Sequence, residues 1–285
     1  MAEHQYVLTL SCADKPGIVA AVTTELADFG ANIAESDQFW DRATNQFFLR
    51  IAMLAPEGVT LESVQKALDP VIARFDMKAK LVDTAKRPRV IIMVSKFDHA
   101  MLHLLYQIRV GWLDAEVVAI VSNHPDSART ADHEGIAYHH WPVTKENKAE
   151  QEEKLLKLVK ETGADLVVLA RYMQVLSDNL SKRLFGKVIN IHHSFLPSFK
   201  GAKPYHQAHA RGVKMIGATG HYVTPDLDEG PIIEQDAERV SHALSADDFV
   251  ARGRDIESRV LARAVKYHLE NRVMIVGNKT IVFTP

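Results

Sequence analysis

The chain has 285 residues, 47% hydrophobic and 25% charged, which is ordinary for a globular protein of about two domains. Its formal net charge of -2 comes from 34 basic and 36 acidic residues, so no general excess indicates nucleic acid or a membrane as a partner. The single cysteine, Cys12, excludes an internal disulfide, and we expect it to be buried. The sequence shows no signal-peptide pattern and no apolar run approaching the ~20 residues of a membrane span, which predicts a cytoplasmic protein.

The first 82 residues predict one small domain. Apolar and β-branched runs indicate strands, and apolar residues at helical spacing indicate two helices between them. The resulting order is strand, helix, strand, strand, helix, strand, which is the ferredoxin-like βαββαβ arrangement. The strands are predicted at 6–12, 32–40, 46–54 and 77–82, and the helices at 18–29 and 61–75.

The turn between the first strand and the first helix reads Asp14-Lys15-Pro16-Gly17-Ile18 and resembles the ACT family of small regulatory domains. The resemblance implies that an amino-acid effector contacts Asp14, Pro16, Gly17 and Ile18. A glycine there exposes backbone N–H groups at a helix N-terminus, which suits a carboxylate. Alternatively, Gly17 only permits a tight turn, and the domain serves for oligomerisation. We expect a homo-oligomer, because exposed edges of such sheets often pair.

Residues 83–88 are polar, end in a proline and predict a linker. From residue 89 to residue 285, strands and helices alternate, which predicts an α/β domain with an open, mostly parallel, Rossmann-like sheet. Ligands on such sheets bind beyond the carboxyl ends of the strands. The predicted strands lie at 90–95, 116–122, 137–141, 166–169 and 188–192, and the predicted helices include 100–108 and 145–162.

Polar side chains cluster after the strand that ends at residue 192. Asn190 and His192 are two residues apart in an extended stretch, so their side chains lie on the same face of the sheet. A later loop carries Asp226, Asp228 and Glu229 between apolar runs. From the residues alone, a capped polar loop and a solvated acidic turn remain as alternatives to a catalytic site.

Several spaced motifs resemble the formyltransferase superfamily, which uses 10-formyltetrahydrofolate. They are the segments 168–176, 190–192, 196–201 and 221–230, and the resemblance spans residues 89–285. It implies that Asn190, His192 and Asp228 are catalytic. Asp228 is chosen over Asp226 because it lies seven residues after His221, as in the family pattern. The resemblance also implies substrate contacts from Met173, Gln174, Val175, Leu176, His99 and Gly230.

Three chemistries occur among such proteins: formyl transfer to glycinamide ribonucleotide, to initiator methionyl-tRNA, or to water. The loop from Ser95 to Ala100 has no glycine and contains Phe97 and Asp98, which disfavour a bound phosphate. We see no basic C-terminal domain for tRNA. An ACT-like domain before a formyltransferase-like domain resembles instead the deformylase family, and His99 fits the first loop of that family.

This resemblance implies hydrolysis of 10-formyltetrahydrofolate to tetrahydrofolate and formate, which would supply purine synthesis and balance the folate pool. Asp228 would be the general base, Asn190 an oxyanion donor, and His192 an oxyanion donor and proton relay. No cofactor is expected, since the folate is the substrate. No metal is expected either, because the histidines at 192, 193, 206 and 209 form an incomplete ligand set. The alternatives are formyl transfer to glycinamide ribonucleotide and a non-catalytic folate or amino-acid sensor.

Overall fold

The structure is a computed structural model, and it describes residues 4–194 and 204–285. The chain forms two compact units, one ending at Arg87 and the other running from Pro88 to Thr284. The division falls inside the predicted linker, residues 83–88. The predicted motif at 196–201 lies outside the described residues, as does the rest of the segment 195–203.

The first unit is a four-stranded antiparallel sheet with two helices. The sheet order is β2-β3-β1-β4, so the predicted last strand is an edge strand. The ferredoxin-like ACT arrangement is therefore confirmed. Its elements are β1 (His4–Ala13), α1 (Ile18–Asp28), β2 (Asn32–Asp41), β3 (Gln46–Ala55), α2 (Leu61–Phe75) and β4 (Lys78–Asp83).

The core of this unit lies between one face of the sheet and the two helices. Leu8 and Leu49 from the strands are buried together with Val22 of α1 and Leu68 of α2. Cys12 is buried in the same cluster, as its apolar surroundings predict. Alternate residues of β1 point to this face because side chains on a strand alternate between its two sides.

Gly17 begins α1 with a backbone φ of 90°, in the left-handed region that favours glycine. No side chain caps this helix start, and a Cβ on Gly17 would meet nothing within 4 Å. The backbone conformation alone thus accounts for a glycine at this position. The predicted effector contacts of the turn stay a prediction.

The second unit is built on a seven-stranded sheet with the order β11-β10-β9-β8-β5-β6-β7. Strands β5 to β9 are parallel, and β10 runs antiparallel to both of its neighbours, β9 and β11, which confirms the predicted mostly parallel sheet. Its strands are β5 (Arg89–Val94), β6 (Glu116–Ser122), β7 (Tyr138–His140), β8 (Leu166–Leu169), β9 (Val188–His192), β10 (Met215–Tyr222) and β11 (Ile232–Arg239), followed by a separate hairpin of β12 (Val273–Val276) and β13 (Lys279–Val282).

Helices cover both faces of this sheet. Successive residues of β5 alternate between two cores: Val90, Ile92 and Val94 pack on one side, and Ile91 and Met93 on the other. Such strands are buried on both faces and therefore read as continuous apolar runs. The helices are α3 (His99–Arg109), α4 (Ala128–His133), α5 (Lys148–Thr162), α6 (Asp178–Arg183), α7 (Pro204–Arg211) and α8 (Ala246–Leu269).

Helix α5 begins at Lys148, three residues after the predicted start. The side chain of Asn147 accepts a hydrogen bond from the backbone N–H of Thr144 at 2.7 Å. The hydroxyl of Thr144 in turn accepts one from the backbone N–H of Asn147 at 3.3 Å. These reciprocal bonds have the pattern of a capping box, and residues 145–147 form a turn that leads into the regular helix.

The strand order reverses between β5 and β8. From β5 the chain continues to β6 on one side, and from β8 it continues to β9 on the other. The loops after β5 and β8 therefore flank the topological switch point, where open α/β sheets usually bind ligands. No helix within the described ranges 4–194 and 204–285 is both long and apolar enough to cross a membrane.

Candidate active site

Three strands and one loop bring the predicted residues together. Asn190 and His192 lie near the carboxyl end of β9, which pairs with β10 in a register that sets Asn190 opposite His221. The connection from β10 to β11 carries Asp228. Because β9 and β10 are hydrogen-bonded neighbours, residues distant in sequence meet near the carboxyl end of β9.

His192 and Asp228 form a close pair. Nδ1 of His192 lies 3.2 Å from Oδ2 of Asp228, and both side chains are largely buried. The imidazole donates from Nδ1, so its other nitrogen, Nε2, is free to face a substrate. Nε2 is buried and has no hydrogen-bond partner among the described residues. The same pattern, a carboxylate that holds and orients an imidazole, is used in proton-transfer sites of other enzymes.

The backbone around Asp228 is unusual. Asp228 itself has a φ of 57°, a left-handed conformation that is uncommon for a residue with a side chain and occurs often at functional sites. Two residues later, a Cβ on Gly230 would lie 1.8 Å from the backbone oxygen of Tyr222. Only glycine therefore lets the chain return beside β10, which places the Asp228 carboxylate against His192.

His221 orients Asn190, a relation that the sequence did not predict. Nδ1 of His221 lies 2.9 Å from the backbone oxygen of Tyr222 and donates to it. In a neutral imidazole the other nitrogen then accepts, and Nε2 lies 3.2 Å from Nδ2 of Asn190. The sequence motif gave His221 no role of its own, and its position only identified Asp228, seven residues later. Its register position opposite Asn190 on a neighbouring strand decides the contact.

The charges at the site follow from burial and these bonds. Burial lowers the pKa of His221, which favours the neutral imidazole. Burial alone would raise the pKa of Asp228, but the hydrogen bond from His192 and the neighbouring imidazoles outweigh it and hold that pKa below its usual value. Asp228 is therefore an ionised carboxylate at neutral pH, as a general base must be.

A cavity of about 240 Å³ opens beside this group. Met173, Val175 and Leu227 at its wall are more than half exposed, which gives it an apolar surface that suits a flat heterocycle. The cavity also has among its lining residues the predicted Gln174, Leu176, Asn190, His192 and Asp228.

Two predicted substrate contacts are not among the described lining residues of this cavity. Gly230 is buried beside Tyr222, where it shapes the loop. Nε2 of His99 lies 2.8 Å from Oε2 of the buried Glu257. For His99 the physical reason is that a buried carboxylate requires partners, and an imidazole at the start of α3 supplies one.

His193 is a further member of the site. Its ring centroid lies 5.0 Å from that of His192 and 6.5 Å from that of Tyr205, and it lines the cavity. Burial, with the positive charge of Arg171 nearby, lowers the pKa of His193 to about 4. It is therefore a neutral imidazole at neutral pH.

The two histidines of α7 do not join this group. His206 is exposed. Nε2 of His209 lies 3.2 Å from the backbone oxygen of Leu244. The ring of His209 also packs edge-on against Phe249. In the part of the chain that the structure describes, no three His, Cys, Asp or Glu side chains are grouped so that they could hold a metal ion.

Fold and site together define the class of protein. Residues 88–265 match the formyl transferase family, and residues 6–69 match the ACT domain family. Asn190, His192 and Asp228 all lie within the first of these ranges.

Full-length relatives narrow the class. The chain is 49% identical to formyltetrahydrofolate deformylase of Corynebacterium sp. (strain P-1), over 98% of each chain. A crystal structure of formyltetrahydrofolate deformylase from Burkholderia mallei superposes with a TM-score of 0.93 at 49% identity, covering 99% of this chain and 100% of that one. Glycinamide ribonucleotide transformylase 1 from Symbiobacterium toebii is more distant, with a TM-score of 0.64 and 27% identity over 72% of this chain and 98% of that one. The chain belongs to the formyltetrahydrofolate deformylase family.

Proposed function

We propose that this protein hydrolyses 10-formyltetrahydrofolate to tetrahydrofolate and formate. The observation that carries the proposal is the Asp228–His192 pair, at 3.2 Å, beside Asn190 in the wall of one cavity. An ionised carboxylate, an imidazole and an amide are the groups that addition of water to a formyl carbon requires. The relatives at 49% identity are named formyltetrahydrofolate deformylase, a name that describes the same reaction.

In the proposed reaction the folate lies along Met173 to Leu176, with its formyl group towards Asn190 and His192. Asp228 accepts a proton from the attacking water, whose oxygen forms a bond to the formyl carbon. The amide of Asn190, oriented by His221, and the Nε2 proton of an imidazolium at His192 donate to the developing oxyanion. Asp228 stabilises the positive charge on His192 through the Nδ1 hydrogen bond.

The tetrahedral intermediate collapses when the bond between the formyl carbon and the folate nitrogen breaks. His192 gives its proton to that nitrogen, which leaves as the amine of tetrahydrofolate. Formic acid loses its proton to form formate, and the proton on Asp228 passes back to His192 or to solvent. Atoms and charges thus balance without an added reductant, oxidant or metal, and we propose that no cofactor takes part.

The direct test incubates the purified full chain with 10-formyltetrahydrofolate alone and follows formate together with the absorbance of the folate. Equal amounts of formate and tetrahydrofolate are expected without any added amine. Formate that appears only after glycinamide ribonucleotide is supplied, or formylated nucleotide in its place, would favour the transferase alternative. Tight folate binding without turnover would favour a sensor.

We also propose that the first unit regulates the reaction by binding an amino acid at the turn 14–18, and that the protein works as a homo-oligomer in the cytoplasm. The support is the match to the ACT domain family. The test measures the rate of formate release in the presence of each of the twenty amino acids. Light scattering measures the molecular mass of the protein under the same conditions. Unchanged rates would contradict the regulation, and a monomeric mass throughout would contradict the homo-oligomer. The variant Gly17→Ala strains a φ of 90° and should weaken any such response.

A further inference from the structure

A buried carboxylate sits next to the candidate active site without taking part in it. Glu257 of α8 has 1% of its surface exposed. Its Oε1 accepts a hydrogen bond from the hydroxyl of Tyr205 at 2.7 Å, and its Oε2 lies 2.8 Å from Nε2 of His99. Oε2 is also 3.4 Å from Nε of Arg171. We call His99, Arg171, Tyr205 and Glu257 the crevice cluster.

The crevice cluster occupies the switch point of the sheet. His99 follows the loop after β5, and Arg171 lies in the loop after β8. The two loops are tied directly: the backbone N–H of Ser95 donates to the oxygen of Arg171 at 3.3 Å, and the N–H of Met173 donates to the Ser95 hydroxyl at 2.9 Å. An open sheet usually keeps this crevice for a ligand, whereas here the protein's own groups fill it.

Local backbone features fit these side chains into the crevice. A Cβ on Gly253, in the middle of α8, would lie 2.1 Å from Cζ of Tyr205, so the missing side chain makes room for the tyrosine ring. Arg171 has a φ of 65°, an uncommon conformation for a non-glycine residue. A helical glycine and a left-handed arginine both disfavour the local fold, which indicates that the filled crevice has a use.

The crevice cluster adjoins the catalytic groups. Arg171 and His193 both line the cavity that contains Asn190 and His192. The His193 ring contacts those of His192 and Tyr205. The cluster therefore adjoins, through Arg171 and the neighbouring His193, the cavity that a second substrate would have to enter to reach the formyl group.

The charges of the crevice cluster are paired with each other. Burial alone would raise the pKa of Glu257, but the hydrogen bond from His99 and the charge of Arg171 hold it below its usual value. The carboxylate is thus ionised and already accepts from its partners. Its oxygens accept from Tyr205 and His99 and face the guanidinium of Arg171, so its charge is paired inside the protein.

We propose that the crevice cluster restricts the acceptor of the formyl group to water by filling the site that an amine would need. This inference rests on the proposed function and identifies what would determine its specificity. With water, the water oxygen adds to the formyl carbon, the carbon–nitrogen bond to folate breaks, and formate is released. With an amine admitted in its place, the amine nitrogen adds, the same carbon–nitrogen bond to folate breaks, the amine proton passes to the folate nitrogen, and a formamide forms.

The test opens the crevice with the double variant Arg171→Gly/Glu257→Ala. Both charges go together, so neither is left buried without a partner, and glycine suits the φ of 65°. Glycinamide and hydroxylamine serve as small acceptors, at a pH above about 8 so that the α-amino group of glycinamide is mostly uncharged, and mass spectrometry measures formylated amine relative to formate. Wild type should give almost entirely formate, and the opened variant should raise the ratio of formylated amine to formate at least tenfold above the wild-type ratio.

A second opened variant, His99→Ala/Arg171→Gln/Glu257→Gln, again removes both charges and keeps more of the packing of α8 in case the first does not fold. The matched control Glu153→Ala/Arg183→Ala removes an exposed ion pair outside the cavity and should give the wild-type ratio. A folded opened variant that releases formate at an unchanged ratio would overturn the inference, as would one that loses both reactions. Absence of formate with wild type would contradict the proposed function instead.

Discussion

Asn190 and His221 face each other across β9 and β10, and the imidazole fixes the direction of the amide. Since Nδ1 of His221 donates to the backbone oxygen of Tyr222, its Nε2 accepts from Nδ2 of Asn190 at 3.2 Å. The amide nitrogen of Asn190 is thereby assigned from the hydrogen-bond network. A fixed donor loses little energy to reorientation when the oxyanion develops.

The first prediction concerns this pair. Asn190→Ala should lower kcat for formate release by about 10²–10³, with a smaller change in KM, because it removes an oxyanion donor. His221→Ala should lower kcat less, since the donor stays but is no longer oriented. The double variant should be no slower than Asn190→Ala, because both changes act through one amide. Multiplicative losses in the double variant would show that His221 acts by another route.

The second prediction concerns Asp228. Asp228→Asn removes the base and the charge that stabilises an imidazolium at His192, and should lower kcat by about 10²–10⁴. Asp226→Asn, an exposed acid in the same loop, is the matched control and should keep near wild-type turnover. Formate release measured for both variants checks the assignment. Equal losses at the two positions would mean that loop charge, rather than the Asp228–His192 pair, is what matters.

The third prediction concerns the loop that presents Asp228. Gly230→Ala places a methyl group 1.8 Å from the backbone oxygen of Tyr222, so the backbone has to shift. We expect the free energy of unfolding to fall by about 1–3 kcal/mol, as for other overpacked sites, and turnover to fall with it. Gly230 is not in the left-handed region, so the steric overlap alone carries this cost, whereas Gly277→Ala tests a left-handed φ at a site where a Cβ meets nothing within 4 Å. Denaturant unfolding and formate release measure both effects.

The fourth prediction concerns pH and His193. Its pKa is about 4 in the folded protein, against about 6.5 in an unfolded chain. Between these values the unfolded state binds more protons, so stability falls as the pH drops from about 6.5 to about 4. The loss reaches about 3 kcal/mol at the acid end, since each pKa unit corresponds to about 1.4 kcal/mol.

His193→Phe keeps a ring of similar shape and removes this titration. Its free energy of unfolding should therefore fall less than that of wild type between pH 7 and pH 4. Denaturant unfolding of both proteins at several pH values measures the difference. Parallel curves for the two proteins would show that His193 is protonated in the folded state in this range.

Local patterns in the sequence predicted most elements of the fold. The βαββαβ order of the first unit follows from apolar periodicity and from turn residues such as Gly17 and Gly30. The buried runs of β5, β6 and β8 identified the parallel part of the other sheet. The start of α5 was placed three residues too early, because residues 145–147, which the reciprocal bonds of Thr144 and Asn147 enclose, form a turn before the regular helix.

The sequence by itself also selected Asn190, His192 and Asp228, because their spacing resembles a known family and the alternation of a strand sets two of them on one face. Only the tertiary structure decided their partners. The register of β10 against β9 brings His221 to Asn190, and the long helix α8 carries Glu257 to His99 and Arg171. These contacts depend on how separate elements pack in space, and no local pattern in the chain encodes the distance between them.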